Sequence, residues 1–175
     1  VNRCIISENN PADPGITSGG GGLAISGPEF YGEILNSRFT HNTASYLAGG
    51  ILIGSGIYDP DYGWEIAGNV IAFNEAEEEA GILIGGIGWL DFHHNRVEGN
   101  VANLVLGSGL TISHSLRPAN IEIHENQFLS NQGVIGAAID AMTSAHIFNN
   151  VFMGNQGRSV PAIYLRTNYG DTVNV

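Results

Sequence analysis

Apolar and polar positions follow one another in a short frame that recurs along the chain. Its clearest copy reads Ile121-x-Ile123-x-x-Asn126-x-Phe128-x-x-Asn131. The frame returns as Trp64-x-Ile66-x-x-Asn69-x-Ile71-x-x-Asn74, as Leu90-x-Phe92-x-x-Asn95-x-Val97-x-x-Asn100 and as Ala145-x-Ile147-x-x-Asn150-x-Phe152-x-x-Asn155. Two looser copies precede these, one through Ile34, Ser37, Phe39 and Asn42, the other through Cys4, Ile6 and Asn9. The closing asparagines are separated by 33, 32, 26, 31 and 24 residues, which makes six copies. After each comes a short turn and then an apolar, any, apolar triplet: Leu23/Ile25, Ile51/Ile53, Ile82/Ile84, Leu104/Leu106, Ile139/Ala141 and Ile163/Leu165. Alternation with a period of two predicts three very short strands per repeat, divided by Asn- and Gly-rich turns.

A strand with one or two inward residues builds no core by itself. Coils stacked at the strand spacing of about 4.8 Å do, because each inward position becomes a continuous column. One expected column holds Ile6, Phe39, Ile71, Val97, Phe128 and Phe152; a second holds Ile34, Ile66, Phe92, Ile123 and Ile147. Trp64 falls into the column of Leu90 and Ile121 and is therefore expected to point inward. Asparagine at a repeated turn tolerates left-handed backbone and bonds its own turn and the next coil, which predicts an asparagine ladder.

The recurrent I-x-I-x-x-N-x-F-x-x-N frame followed by G-I-x-I resembles the right-handed parallel β-helix of the pectate-lyase-like superfamily. The resemblance covers nearly the whole chain and implies an all-β solenoid of about six coils, with three short strands per coil and asparagine-rich turns. It implies little about activity, since this superfold carries lyases, hydrolases, adhesins, binding modules and filament proteins. Residues 1–175 read as a single β-helix module that starts and stops in mid-coil, Val1 in the column of Ile34 and Val175 in that of Ile123. Bare sheet edges invite pairing, so the span is expected to be an excised or incomplete part of a longer chain. Its ends would meet a flanking catalytic or β-helix module, or a second copy by end-to-end self-association.

Composition removes several function classes. Glycine occupies 25 of 175 positions, which here punctuates a repeat rather than marking disorder. The chain carries six arginines, no lysine and a net charge of −11. That balance opposes sequence-independent binding to nucleic acid, which requires basic clusters, and it excludes lysine as a catalytic base. A single cysteine, Cys4, allows no internal disulfide. No apolar run approaches the roughly 18 residues of a membrane span.

Catalytic signatures of pectin-active relatives are missing. The chain has no G-H-G or R-I-K string, and on the outward position of the triplet strand it shows Ala24, Leu52, Leu83, Val105, Asp140 and Tyr164. Asp140 reads as a solvated carboxylate without catalytic partners. The strand before the ladder is richer, because its outward positions in successive coils are Glu33, Glu65, Asp91, Glu122 and His146, with His93 and His124 two residues after Asp91 and Glu122. Like charges opposed on a sheet repel, so either these side chains splay into water or a cation sits among them. Asp91, His93, Glu122, His124 and His146 form a mixed imidazole and carboxylate set suited to zinc or another first-row transition metal. The bland alternative is a hydrated polar face on which histidine relieves the carboxylates. The acidic turn Glu75, Glu77, Glu78 and Glu79 reads as solvated, with calcium as its one candidate ligand.

The loops before that strand carry Phe30, Tyr31, Tyr58, Tyr62 and Trp89, with Asp59 and Asp61 beside them. Aromatic rings along one edge pack against the C–H faces of sugars while carboxylates accept hydroxyl hydrogen bonds; the competing reading is that the rings fold down as caps on the core. The favoured function at this level is extracellular or cell-surface recognition of a polysaccharide, neutral rather than polyuronate, without cleavage. A structural or adhesive surface or filament segment is the alternative, and a polysaccharide lyase or glycoside hydrolase fragment the second.

Overall fold

The computed structural model describes residues 1–10, 19–27, 31–55, 61–104, 107–113, 120–135, 137–165 and 173–174. Every strand among them pairs in parallel with its counterpart one coil away, and no helix occurs among the described residues. The pairing produces four sheets rather than three. The first, called the histidine sheet below, stacks Gly32–Leu35, Gly63–Ala67, Trp89–His93, Asn120–His124, Ala145–Phe148 and Val173–Asn174. The second runs from Ile5–Ser7 through Arg96–Glu98 to Val151–Met153. The fourth runs from Leu23–Gly27 through Leu110–Ser113 to Ile163–Leu165.

The third sheet is the one that three strands per coil leaves out. It consists of the two-residue pieces Glu75–Ala76, Val101–Ala102, Gln132–Gly133 and Gln156–Gly157, which follow each closing asparagine. Two residues carry no visible period, so such strands read as turn in sequence. The molecule is thus a parallel β-solenoid of four complete four-sided turns with partial turns on both flanks.

Both expected columns are in register, Ile6 opposite Phe39 and onward to Phe152, and Ile34 opposite Ile66 and onward to Ile147. Phe39, Phe92 and Phe128 are fully buried, and each such ring contributes on the order of 2–3 kcal/mol by leaving water. Phe128 stacks on Phe152 with centroids 5.2 Å apart. Trp64 is buried in the column of Leu90 and Ile121, as its frame requires.

Two asparagine ladders run the length of the core. In one, Asn42, Asn74, Asn100, Asn131 and Asn155 succeed one another; in the other, Asn69, Asn95, Asn126 and Asn150. Each Oδ1 accepts from the backbone and side-chain nitrogens of the preceding asparagine, as Asn74 Oδ1 does from Asn42 N at 3.0 Å and Nδ2 at 3.1 Å. The left-handed residue of each turn stands one position earlier, at His41, Phe73, Gly99, Ser130 and Gly154 and at Asn36, Gly68, His94, Glu125 and Asn149. The ladder asparagine therefore serves as a hydrogen-bond splint; tolerance of positive φ is asked of its neighbour.

The fourth sheet corrects two further expectations. The strand that pairs with Ile82–Gly85 and Ile139–Ala141 is Leu110–Ser113, so the inward pair of that coil is Leu110/Ile112 and Leu104 is exposed. Nine residues separate Asn100 from Leu110, against seven between Asn74 and Ile82 and between Asn131 and Ile139, which shifts the triplet along the chain. Its outward residue is Thr111, and the outward face is covered in the middle coils, where Leu83, Thr111 and Asp140 are all buried, while Ala24 at one end is exposed. Asp140 is accordingly not a solvated carboxylate, and Glu79 of the acidic turn is buried as well.

Candidate functional site

The outer face of the histidine sheet collects most of the exposed chemistry, and register alone puts it there. Glu33 lies opposite Glu65, Glu65 opposite Asp91, Asp91 opposite Glu122, and Glu122 opposite His146. His93 lies opposite His124, and His124 opposite Phe148. Strand alternation points all of these outward, because the residues between them, Phe92, Ile123 and Ile147, fill the core column.

The repulsion expected of stacked carboxylates is answered by interleaving. Each histidine reaches back to the carboxylate one coil earlier: His93 Nε2 lies 3.3 Å from Glu65 Oε1, and His124 Nε2 lies 3.0 Å from Asp91 Oδ1. The other ring nitrogen of His124 faces Glu125 Oε2 at 3.2 Å, while that of His93 meets His94 Nδ1 at 2.8 Å. Glu125 also faces His94 Nε2 at 3.4 Å. The rings of His93, His124 and Phe148 form a continuous stack, with centroids 5.1 and 4.9 Å apart and planes within 7° and 4°.

From the five residues expected to hold a metal, the fold brings three donor atoms together. Asp91, Glu122 and His124 each offer an atom such that all lie within 4.8 Å of one another. His93 stands beside this group, 3.9 Å from Asp91 Oδ2, but is engaged by Glu65 and His94. His146 lies one coil beyond, exposed and outside the group. Glu125, which no frame position singled out, orients His124 through its second nitrogen. The signal that finds it is its place directly after the histidine, at the left-handed turn residue with φ 56°.

The aromatic edge is partly assembled on the same face. Tyr31, Trp89, Glu33 and Glu65 surround a hollow of about 400 Å³. Tyr31 is 81% exposed and Trp89 half-buried, so Tyr31 at least does not cap the core. The indole of Trp89 lies directly over Gly63, its register partner, where a Cβ would collide with it. Glycine at that position is what lets the ring lie down. Tyr62 is half-buried and Asp61 exposed, neither of them lining the hollow; Phe30, Tyr58 and Asp59 lie outside the described residues.

A family described as periplasmic copper-binding protein (NosD) matches residues 34–162, well over half of the chain. The chain belongs to the NosD family. The match spans all four complete turns of the solenoid up to the beginning of the last triplet, and with them the histidine sheet from Ile34 to Phe148. Membership accords with the parallel β-helix read from the repeats, this being a right-handed, pectate-lyase-like β-helix family. No curated protein and no solved structure gives a significant match to this NosD-family chain. Among the described residues no helix is long and apolar enough to cross a membrane.

Proposed function

We propose that this chain is a periplasmic or cell-surface β-helix protein that holds a copper(II) ion on Asp91, Glu122 and His124. The observation that carries the reading is the fixed orientation of His124. Its ring is held face to face by His93 and Phe148, and its Nδ1 is held by Glu125, so that Nε2 faces Asp91, with a Glu122 donor atom in the same group. A ligating histidine whose other nitrogen bonds a carboxylate is the ordinary construction of a metal site. The copper in the family's description supports the same reading.

The donor set fits this ion. One imidazole and two carboxylates are nitrogen and oxygen ligands, which suit copper(II) and zinc; copper(I) calls for thiolate or thioether, and neither cysteine nor methionine belongs to the group. Calcium requires six to eight oxygens, more than two carboxylates supply. Titration of tag-free protein with copper(II) should show one ion per chain by calorimetry. Its electron paramagnetic resonance spectrum should carry nitrogen coupling that collapses in His124→Ala. Coupling that persists in that variant, or a titration without a defined stoichiometry, would overturn the assignment, and prior saturation with zinc tests which metal the site prefers.

A second reading rests on the neighbouring hollow. Tyr31 and Trp89 flank Glu33 and Glu65 as a polysaccharide strand would require, rings for the C–H face and carboxylates for hydroxyls. Affinity electrophoresis through gels containing xylan or β-glucan should show retardation that Tyr31→Ala and Trp89→Ala each reduce; mobility unaffected by every glycan would remove this reading.

A further inference from the structure

A second and larger depression lies on a different face, over the third sheet. It encloses about 610 Å³ and is lined by Val101, Asn103, Gln132, Gln156, Arg158 and Pro161 among others. That size falls within the range of about 300–1,000 Å³ typical of small-molecule sites. Nothing in the sequence frame singles out these residues, because they lie in the two-residue strands that read as turns or in the turns just after them.

The groove has a direction. Along the outward column of this sheet the register is Glu75, Val101, Gln132, Gln156. Gln132 and Gln156 are exposed and one strand spacing apart, about 4.8 Å, and neither side-chain amide bonds a described residue. At the far end stands Arg158, exposed and without an ion pair to any described residue. Beyond the near end stands Glu75, whose carboxylate accepts from Nδ2 of the lining residue Asn103 at 3.0 Å. In a chain with six basic residues and a net charge of −11, a free guanidinium beside two free amides is a local inversion of the protein's charge.

We propose that this groove binds a saccharide that carries a single carboxylate. The guanidinium takes the carboxylate in a charge-assisted pair. The two amides, each offering both donor and acceptor, take neighbouring hydroxyls, and Val101 and Pro161 provide an apolar surface for the ring. One cation at one end, with Glu75 one strand beyond Val101 past the other, admits one carboxylate and repels a second, so polyuronates are excluded. A peptide is the less favourable occupant. The backbone groups under Val101 and Gln132 already bond within the ladder on both sides, so strand addition is confined to the two-residue edge strand Gln156–Gly157, too short to hold an extended peptide.

The test uses residues 1–175 and calorimetric titration with a xylotetraose bearing one glucuronic acid, beside plain xylotetraose, polygalacturonate and a tetrapeptide with a free C-terminus. The acidic oligosaccharide should bind roughly tenfold more tightly than the neutral one, the usual worth of a charge-assisted hydrogen bond. Arg158→Gln should erase that preference, and Gln132→Ala and Gln156→Ala should each weaken both sugars. All three side chains are exposed, so an unchanged melting temperature is expected and confirms folding. The inference fails if neutral and acidic sugars bind alike, if Arg158→Gln leaves the preference intact, or if polygalacturonate or the tetrapeptide binds more tightly. It also fails if Tyr31→Ala, on the other face, removes the binding that Arg158→Gln spares.

Discussion

The ring of His124 lies flat on the ring of Phe148, centroids 4.9 Å apart and planes within 4°. Phe148 is 43% exposed, so burial gains little from it there, and what the contact does is restrict the rotation of the His124 ring, the proposed copper ligand. Phe148→Ala should leave the fold intact and weaken copper(II) about tenfold, the lower end of what removing a ligand's support costs. Calorimetry on folded variant protein checks this; unchanged affinity would show that Glu125 and His93 suffice to orient the ring.

The ladders should carry stability unevenly. Asn100 is fully buried, accepts from Asn74 N and Nδ2 and donates to Ile71 O and Asn131 Oδ1, all at 3.0 Å. Asn100→Ala strands several buried groups at once and should cost about 3 kcal/mol. Asn155 stands at the half-buried end of the same ladder, where water replaces lost partners, and Asn155→Ala should cost about half as much. Urea denaturation should resolve the difference as two midpoints; equal midpoints would mean that the ladder acts as one unit rather than coil by coil.

The repeat was legible because stacking demands the same residue at the same place in every coil. Inward isoleucines and phenylalanines, ladder asparagines and the outward carboxylate column all follow from periodicity alone. Two things lacked a period. Strands of two residues, such as Gln132–Gly133, leave no alternation to count, which hid the third sheet and the groove over it. The long loop before Leu110 displaced a triplet, and Leu104 and Leu106 offered a decoy in the expected place. The site itself was half legible: register brought Asp91, Glu122 and His124 together, whereas the stack with Phe148 and the bond to Glu125 depend on rotamers that no frame encodes.

Trp89 can lie over the strand beside it only because Gly63 has no side chain. In Gly63→Ala the new methyl would occupy space the indole now fills, so the ring should lift away from the hollow. The expected outcome is a red-shifted tryptophan emission and lost retention on xylan or β-glucan gels, with copper(II) affinity at His124 retained. Retention that survives the emission shift would separate the hollow from any glycan recognition.

The left-handed turn residues offer the sharpest test of the backbone account. Ser130 holds φ 53° and is exposed, while the equivalent positions in the flanking coils are Gly99 at 59° and Gly154 at 68°. A left-handed residue with a Cβ costs roughly 1–2 kcal/mol, partly offset because glycine frees the unfolded chain. Ser130→Gly should therefore stabilise by about 0.5–1 kcal/mol, a rise of a few degrees in melting temperature for a chain of this size. Gly99→Ala should go the other way and further. It meets the same backbone penalty, and its methyl would sit 2.6 Å from the ring of Phe73 one coil below. Phe73 is half exposed and can swing outward, so the loss should be about 2 kcal/mol rather than a failure to fold. Paired thermal melts decide the matter: opposite signs support positive φ as the common strain of these turns, and a destabilised Ser130→Gly would place the stability of that turn in the serine side chain instead.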